Sequence, residues 1–261
     1  MSEELVRLEV AGGVATITLD SPANRNALSR ALMTGLEDRL DAALADDRAR
    51  LILLTGAGPV FCSGADLKEL GTGEASGPGA GPGGLVAILK RMWYSPKPVI
   101  ARIGGPTRAG GIGLVAACDI AVAVDTATFA FSEVRIGVIP AIISVVVLPK
   151  LGLTKGMELF LTGDTFDAGE AALLGLLNAA VPLDQLDERV GRYTSSILKG
   201  APEALAGCKR LVREVPGMAL DAAFELTSMR SAEYFASEEA REGMASFREK
   251  RPPRWAEGRD G

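Results

Sequence analysis

Between residues 51 and 131 the chain repeats one local order, and that order restricts it to layered β and α structure. A short strand-like run gives way to a glycine-containing turn and then to a helix-like run. LILLTG at 51–56 is the first such strand, and PKPVIARIGG is the second. The helix-like GLVAACD follows a glycine-rich turn and leads into the strand-like DIAVAV and TFAF. Ahead of this region, LVRLEVAGGVATITLD alternates apolar and polar residues around AGG, the pattern of a β-hairpin. Ser29 is placed to cap a helix whose Leu32, Leu36, Leu40 and Leu44 recur every fourth residue and form one apolar face.

Beyond Pro140 the pattern becomes helical. AIISVVVLPKLG comes first, then a segment opened by Asp167 with Glu170 three residues on, a capping-box arrangement, then Leu183 to Lys199. Pro202 starts another stretch, and residues 202–250 read as amphipathic helix throughout. Phe224, Leu226, Met229, Tyr234, Phe235, Met244 and Phe247 are its apolar positions. Such a face packs either on a partner subunit or back on its own domain. Residues 71–84, GTGEASGPGAGPGG, are half glycine and gain too little burial to offset their backbone entropy, so a mobile loop is expected, either a plain insertion or a flap over a substrate entrance.

Composition narrows the chemistry. The 261 residues can bury one substantial core with an appendage, without disulfides or a metal. The net charge is -5 and the basic residues are scattered, which argues against a nucleic-acid surface. The sequence contains no histidine, which removes Ser/His and Cys/His hydrolases, most zinc sites and any imidazole base. Cys62, Cys118 and Cys208 are odd in number and far apart, as suits buried thiols in a reducing compartment. The opening MSEELVRLEV is acidic, and no apolar run reaches about 18 residues, so neither secretion nor a membrane span is expected and a cytoplasmic protein is.

Two turns stand between strand-like and helix-like runs, FCSGADLKEL at 61–70 and RAGGIGLVAACD at 108–119. Free N–H groups at a helix start attract negative charge, and glycine admits a ligand close to the backbone, so two such turns could clamp one oxygen. Plain turns account for the same glycines. Gly111, Gly113 and Ala116 also match a dinucleotide fingerprint, but the preceding ARIGGPTRAG does not run straight off a strand. Glu133 sits in the apolar TFAFSEVRIGVIP, where burial would raise its pKa and prepare it for proton transfer; an ion pair with Arg135 is the alternative.

Taken together, ANRNAL at 23–28, FCSGADLKEL, KPVIARIGG followed by AGGIGLVAACDIAVA, FAFSEVRIGVIPA and the terminal EGMASFREKRPPRW resemble the enoyl-CoA hydratase/isomerase (crotonase) superfamily in order and spacing over essentially the whole chain. The resemblance implies an α/β fold: a ββα spiral core over residues 1–200 with the acyl-CoA site, and a helical region over 201–261 that builds homotrimers or hexamers. It makes Ala65 and Gly110 the two oxyanion donors and Glu133 the residue that exchanges a proton with the acyl chain. Arg25, Ala27, Ser63, Asp66, Leu67 and Lys68 fall where the family lines its CoA groove, and Phe247 and Lys250 match tail positions that can reach it. Gly113, counted with the substrate-binding positions, is the departure, since many hydratases of the family carry a second glutamate there. Three readings remain: a hydratase of 2-enoyl-CoA thioesters working with Glu133 alone, a Δ3,Δ2-enoyl-CoA isomerase, and an acyl-CoA-binding protein of low activity. None implies a metal or a separate cofactor, because CoA arrives with the substrate. Arg108 and Arg135 are candidates for meeting a substrate carboxylate, with surface pairing as the alternative.

Overall fold

The computed structural model describes residues 4–70 and 84–256, so the loop expected over 71–84 lies, apart from Gly84, outside the described residues. The hairpin forms as expected: β1 (Val6–Ala11) pairs antiparallel with β2 (Val14–Leu19) across Gly12 and Gly13, both at positive φ. Helix α1 (Arg30–Ala45) follows, with the Ser29 hydroxyl accepting the Leu32 N–H at 3.2 Å and Leu32, Leu36 and Leu40 fully buried. Next come β3 (Leu51–Gly56), the single turn α2 (Leu67–Leu70), α3 (Leu85–Tyr94), β4 (Val99–Ile103), β5 (Thr107–Arg108), α4 (Gly110–Ala117), β6 (Ile120–Val124) and β7 (Thr128–Ala130).

Two stacked sets of pairings carry this order. The larger sheet runs β1-β2-β3-β4-β6-β9 and is parallel from β2 onward, with β9 at Ala179–Val181. A second line of parallel contacts joins Leu28 to Ala65, Cys62 to Thr107, and β5 to β7. The stretch after β2, β3, β4 and β6 thus gives one piece to the large sheet, a short piece to the second line, and then a helical turn. This is the ββα spiral in which successive turns lie side by side. Buried strands and α4, buried from Gly111 onward, fill the interior, which explains why α4 is apolar on every face.

After Pro140 come α5 (Ala141–Thr162), kinked at Gly152, β8 (Thr165–Asp167), α6 (Ala168–Leu173) and α7 (Leu183–Leu198). The Asp167 carboxylate accepts the Glu170 N–H at 2.8 Å and starts α6. The tail is three helices rather than one continuous stretch: α8 (Pro202–Glu214), α9 (Leu220–Phe235) and α10 (Glu238–Glu249). Pro216 and Gly217 end the first, and Ser237 caps the last by accepting the Ala240 N–H, chemistry that amphipathic spacing alone does not register. Helix α8 is fastened to the core through Lys209 and Arg213, which reach Asp119 at 2.8 and 2.7 Å. Helix α9 buries no residue, and Phe224, Met229 and Phe235 remain exposed in the single chain. Among the described residues no helix is long and apolar enough to cross a membrane.

Candidate active site

The two glycine turns lie against each other. Cys62 and Thr107 form a parallel bridge, and the Arg108 N–H donates to the Cys62 carbonyl at 2.9 Å. Ala65 and Gly110 each stand three residues beyond that bridge, so the register makes them counterparts. Close approach requires the glycines: a Cβ on Gly64 would lie 2.9 Å from the Ala109 Cβ, and one on Gly111 would lie 2.8 Å from the Cys62 Cβ. Ala109 holds φ 47° and ψ -120°, a conformation strained for a residue with a side chain, and its N–H is fixed on the Ala130 carbonyl at 3.1 Å. The loop before α1 completes the frame, with the Leu28 N–H on the Gly64 carbonyl and the Ser63 N–H on the Arg25 carbonyl. Among the described residues, no acceptor takes the N–H of Ala65 or of Gly110.

Glu133 follows β7 on the 3-10 turn Ser132–Ile136. Phe131, fully buried, packs edge-on against Phe160 and stacks near Phe166, so the start of that turn is anchored from below. The Glu133 carboxyl is half-buried, and its Oε2 has no hydrogen-bond partner among the described residues. Burial pushes its pKa above the ordinary glutamate range, opposed in part by a bond to its own backbone N–H. The alternative ion pair with Arg135 does not form. Arg135 instead pairs with Asp164 at 2.6 Å and donates to the carbonyls of Thr162 and Gly163. Arg108 donates to the carbonyls of Thr107 and Thr128 and to the Thr128 hydroxyl.

A cavity of about 670 Å³ joins these parts. Ser63, Ala65, Leu67, Gly110 and Glu133 line it, with Leu28, Leu85 and the apolar side chains of 136–143 as its walls. Arg25 and Ala27 belong to the loop beside the first turn but do not line it, and Asp66 holds the Lys68 N–H at 3.0 Å where the chain turns into α2. Gly113 does not reach the cavity: it is buried in α4, and a Cβ there would fall 2.3 Å from Cγ2 of Ile143, whose side chain closes that wall. Phe247 and Lys250 lie at the end of α10, away from the cavity within one chain; Phe247 faces a separate hollow beside Met244. The Cys62 thiol, pushed up to about 12 by burial, is unsuited to act as a nucleophile. Among the described residues no three Cys, Asp or Glu side chains converge as a metal site requires.

One residue that organises the site was not singled out from the sequence. Asn26, wholly buried at φ 53°, donates to the carbonyls of Ala57, Val60 and Phe61 and accepts the Ser21 N–H. It ties the loop before α1 to the strand-to-turn segment that carries Ala65. A polar residue placed between Arg25 and the buried Ala27 and Leu28 was the available signal.

The chain matches the model of the enoyl-CoA hydratase/isomerase family over residues 9–258. It is 34% identical over 251 residues to the enoyl-CoA hydratase EchA19 of Mycobacterium tuberculosis, covering 94% of each chain. To the carnitinyl-CoA dehydratase of Salmonella arizonae it is 33% identical over 262 residues, covering 98% of this chain and 99% of that one. The crystal structure of an enoyl-CoA hydratase/isomerase from Marinobacter aquaeolei superposes with a TM-score of 0.89 at 31% identity, over 97% of this chain and all of that one. The human enoyl coenzyme A hydratase domain-containing protein 3 superposes with a TM-score of 0.88 at 30% identity, over 96% of this chain and all of that one. On its stacked ββα turns and on these likenesses together, the chain belongs to the enoyl-CoA hydratase/isomerase family and has the crotonase fold.

Proposed function

We propose that the protein is an enoyl-CoA hydratase, adding water across the C2=C3 double bond of a 2-enoyl-CoA thioester. The observation that carries this reading is the Glu133 carboxyl, which among the described residues has one buried oxygen without a partner and shares a cavity with two N–H groups that have no acceptor. Burying a carboxyl in that way is costly, and the cost is explained if the group transfers protons. In the proposed step, Ala65 and Gly110 donate to the thioester oxygen as negative charge develops there, each worth about 3 kcal/mol in the transition state. Water attacks C3 and gives one proton to the Glu133 carboxylate. The hydroxyl remains on C3, and Glu133 returns the proton to C2 as the enolate collapses.

A second reading, the Δ3,Δ2-enoyl-CoA isomerase, is favoured by the wall opposite. Glu133 is the one carboxyl that lines the cavity among the described residues, and Ile143 fills the space beside Gly113 where a second would stand. A single carboxyl suffices to move a proton between C4 and C2. We also propose that the exposed apolar face of α9 and the end of α10 packs on other copies in a trimer or a pair of trimers, which sedimentation would measure directly. Mixing the protein with crotonyl-CoA and following the ultraviolet absorbance of the conjugated thioester tests the main reading. Loss of absorbance in the wild type and not in Glu133→Gln supports it. No loss there, with conversion of a 3-enoyl-CoA, supports the isomerase.

A further inference from the structure

Strand β5 is two residues long, yet half of the proposed site hangs on it. It pairs with β7 only as Thr107 to Phe129 and Arg108 to Ala130, and Ala109 and Gly110 follow it at once. Glu133 comes three residues after Ala130, the last residue of β7. The placement of the Gly110 N–H relative to the Glu133 carboxyl is therefore set by how β5 sits on β7. Backbone pairing over two residues is a slight hold, and Ala109, at φ 47° and ψ -120°, keeps a conformation that persists only where its neighbours over-determine it. The Arg108 side chain supplies a further hold. Its Nη1 donates to the Thr128 carbonyl at 2.6 Å and to the Thr107 carbonyl at 3.0 Å, and its Nη2 donates to the Thr128 hydroxyl at 2.9 Å. Its backbone N–H is on the Cys62 carbonyl at 2.9 Å, so the same residue also joins the first glycine turn.

We propose that Arg108 is a positioning residue, which fixes the Gly110 N–H relative to the Glu133 carboxyl by bracing β5 against Thr128 and does not touch the acyl group. This rests on the reading of the cavity as the site of an enzyme acting on acyl-CoA thioesters. Among the described residues no carboxylate pairs with Arg108, and the side chain is half-buried, so its charge is kept for hydrogen bonds to three neutral oxygens. Burial lowers its pKa, as expected for a cation without an acidic partner. The residue does not line the cavity, and a substrate carboxylate would have to draw the guanidinium off all three oxygens to meet it. A planar guanidinium presents its donors in a fixed fork and can hold the carbonyl and the hydroxyl of one threonine in one geometry, which suits a brace.

The test compares Arg108→Met, Arg108→Lys and Thr128→Val with the wild type. Turnover is measured on whichever of crotonyl-CoA and a 3-enoyl-CoA the wild type converts, and calorimetry gives the affinity for butanoyl-CoA, which is saturated and binds without reacting. Arg108→Met is expected to lower kcat by about ten- to a hundredfold while butanoyl-CoA affinity stays within about threefold, because a slightly displaced donor loses most where charge develops. Arg108→Lys keeps a donor and should bring kcat back to within about fivefold of the wild type. Thr128→Val removes one acceptor and should cost about threefold in kcat, and it carries the same test if Arg108→Met does not fold. An unchanged kcat in Arg108→Met, or in Thr128→Val where that variant stands in, overturns the proposal. So does a fall in kcat matched by an equal fall in butanoyl-CoA affinity and not relieved by lysine, the mark of a merely structural residue. A loss confined to an acyl-CoA with a terminal carboxylate, such as glutaconyl-CoA, overturns it in favour of direct contact with the substrate. A wild type that converts neither thioester overturns the enzymatic reading of the cavity, and this inference with it.

Discussion

The two ends of α4, a helix of eight residues, are built in opposite ways. At its start, the Gly110 N–H has no acceptor among the described residues, the preceding Ala109 is strained, and the nearby Glu133 has a buried oxygen without a partner. At its finish, Lys150 donates to the Cys118 carbonyl at 3.0 Å, and Asp119 accepts the Val99 N–H while pairing with Lys209 and Arg213. Arg213 also stacks over Trp93 at 4.0 Å. Cations at a helix C-terminus and a carboxylate held by several donors are the arrangement that stabilises a fold. Donors and a carboxyl left without partners destabilise it, and await something from outside the chain. One helix thus separates a fastening, which also ties α8 to the core, from the proposed reaction chamber.

The contrast can be broken at each end. The largest effect is expected from Glu133→Gln, which should lower kcat for a 2-enoyl-CoA by about 10²- to 10⁴-fold, measured by loss of thioester absorbance. In the wild type the acidic limb of the rate profile should lie above the ordinary glutamate value of 4.5, because burial raises this group's pKa and the base form appears only as pH climbs past it. Next is Asp119→Ala, which leaves Lys209 and Arg213 without their carboxylate. A loss of about 3 kcal/mol in stability is expected, read as a fall in Tm, with kcat little changed while the protein stays folded. Gly64→Ala should act on the chamber without removing a reacting group. The residue sits at φ 89° and a Cβ would press on Ala109, so the two turns should part slightly and kcat fall by about ten- to a hundredfold.

The smallest effect concerns stability at the reactive end. A carboxyl whose pKa is raised in the folded state favours folding when protonated, and that contribution is lost as pH rises through the folded value. Glu133→Gln should therefore be more stable than the wild type at about pH 8, by about 1 kcal/mol or less and read as a higher Tm, and the difference should shrink toward about pH 5. Stabilisation combined with lost turnover would mark the group as held for reaction.

Much of this was legible in the chain. The hairpin, the Ser29 and Asp167 caps, the strand-turn-helix recurrence and the two glycine turns follow from local spacing and local hydrogen bonding, and these are properties of neighbouring residues. Glu133 stood out because a carboxyl in an apolar run is costly wherever it is buried. Asn26 was harder to see, since its three acceptors lie 31 to 35 residues away. Gly113 could be read as a missing glutamate, but not as a position closed by Ile143, thirty residues further on.

The sequence by itself determined the family, the alternation of layers and the presence of a carboxyl in an apolar run, because each is encoded in residue type and short-range order. Tertiary structure alone decided that Ala65 and Gly110 are counterparts, through the bridge of Cys62 to Thr107 across 45 residues of chain. It also decided that Arg135 turns to Asp164 rather than to Glu133, and that Ile143 closes the position beside Gly113. Those outcomes depend on how distant segments meet, and burial and competition between partners settle them only once the chain is packed.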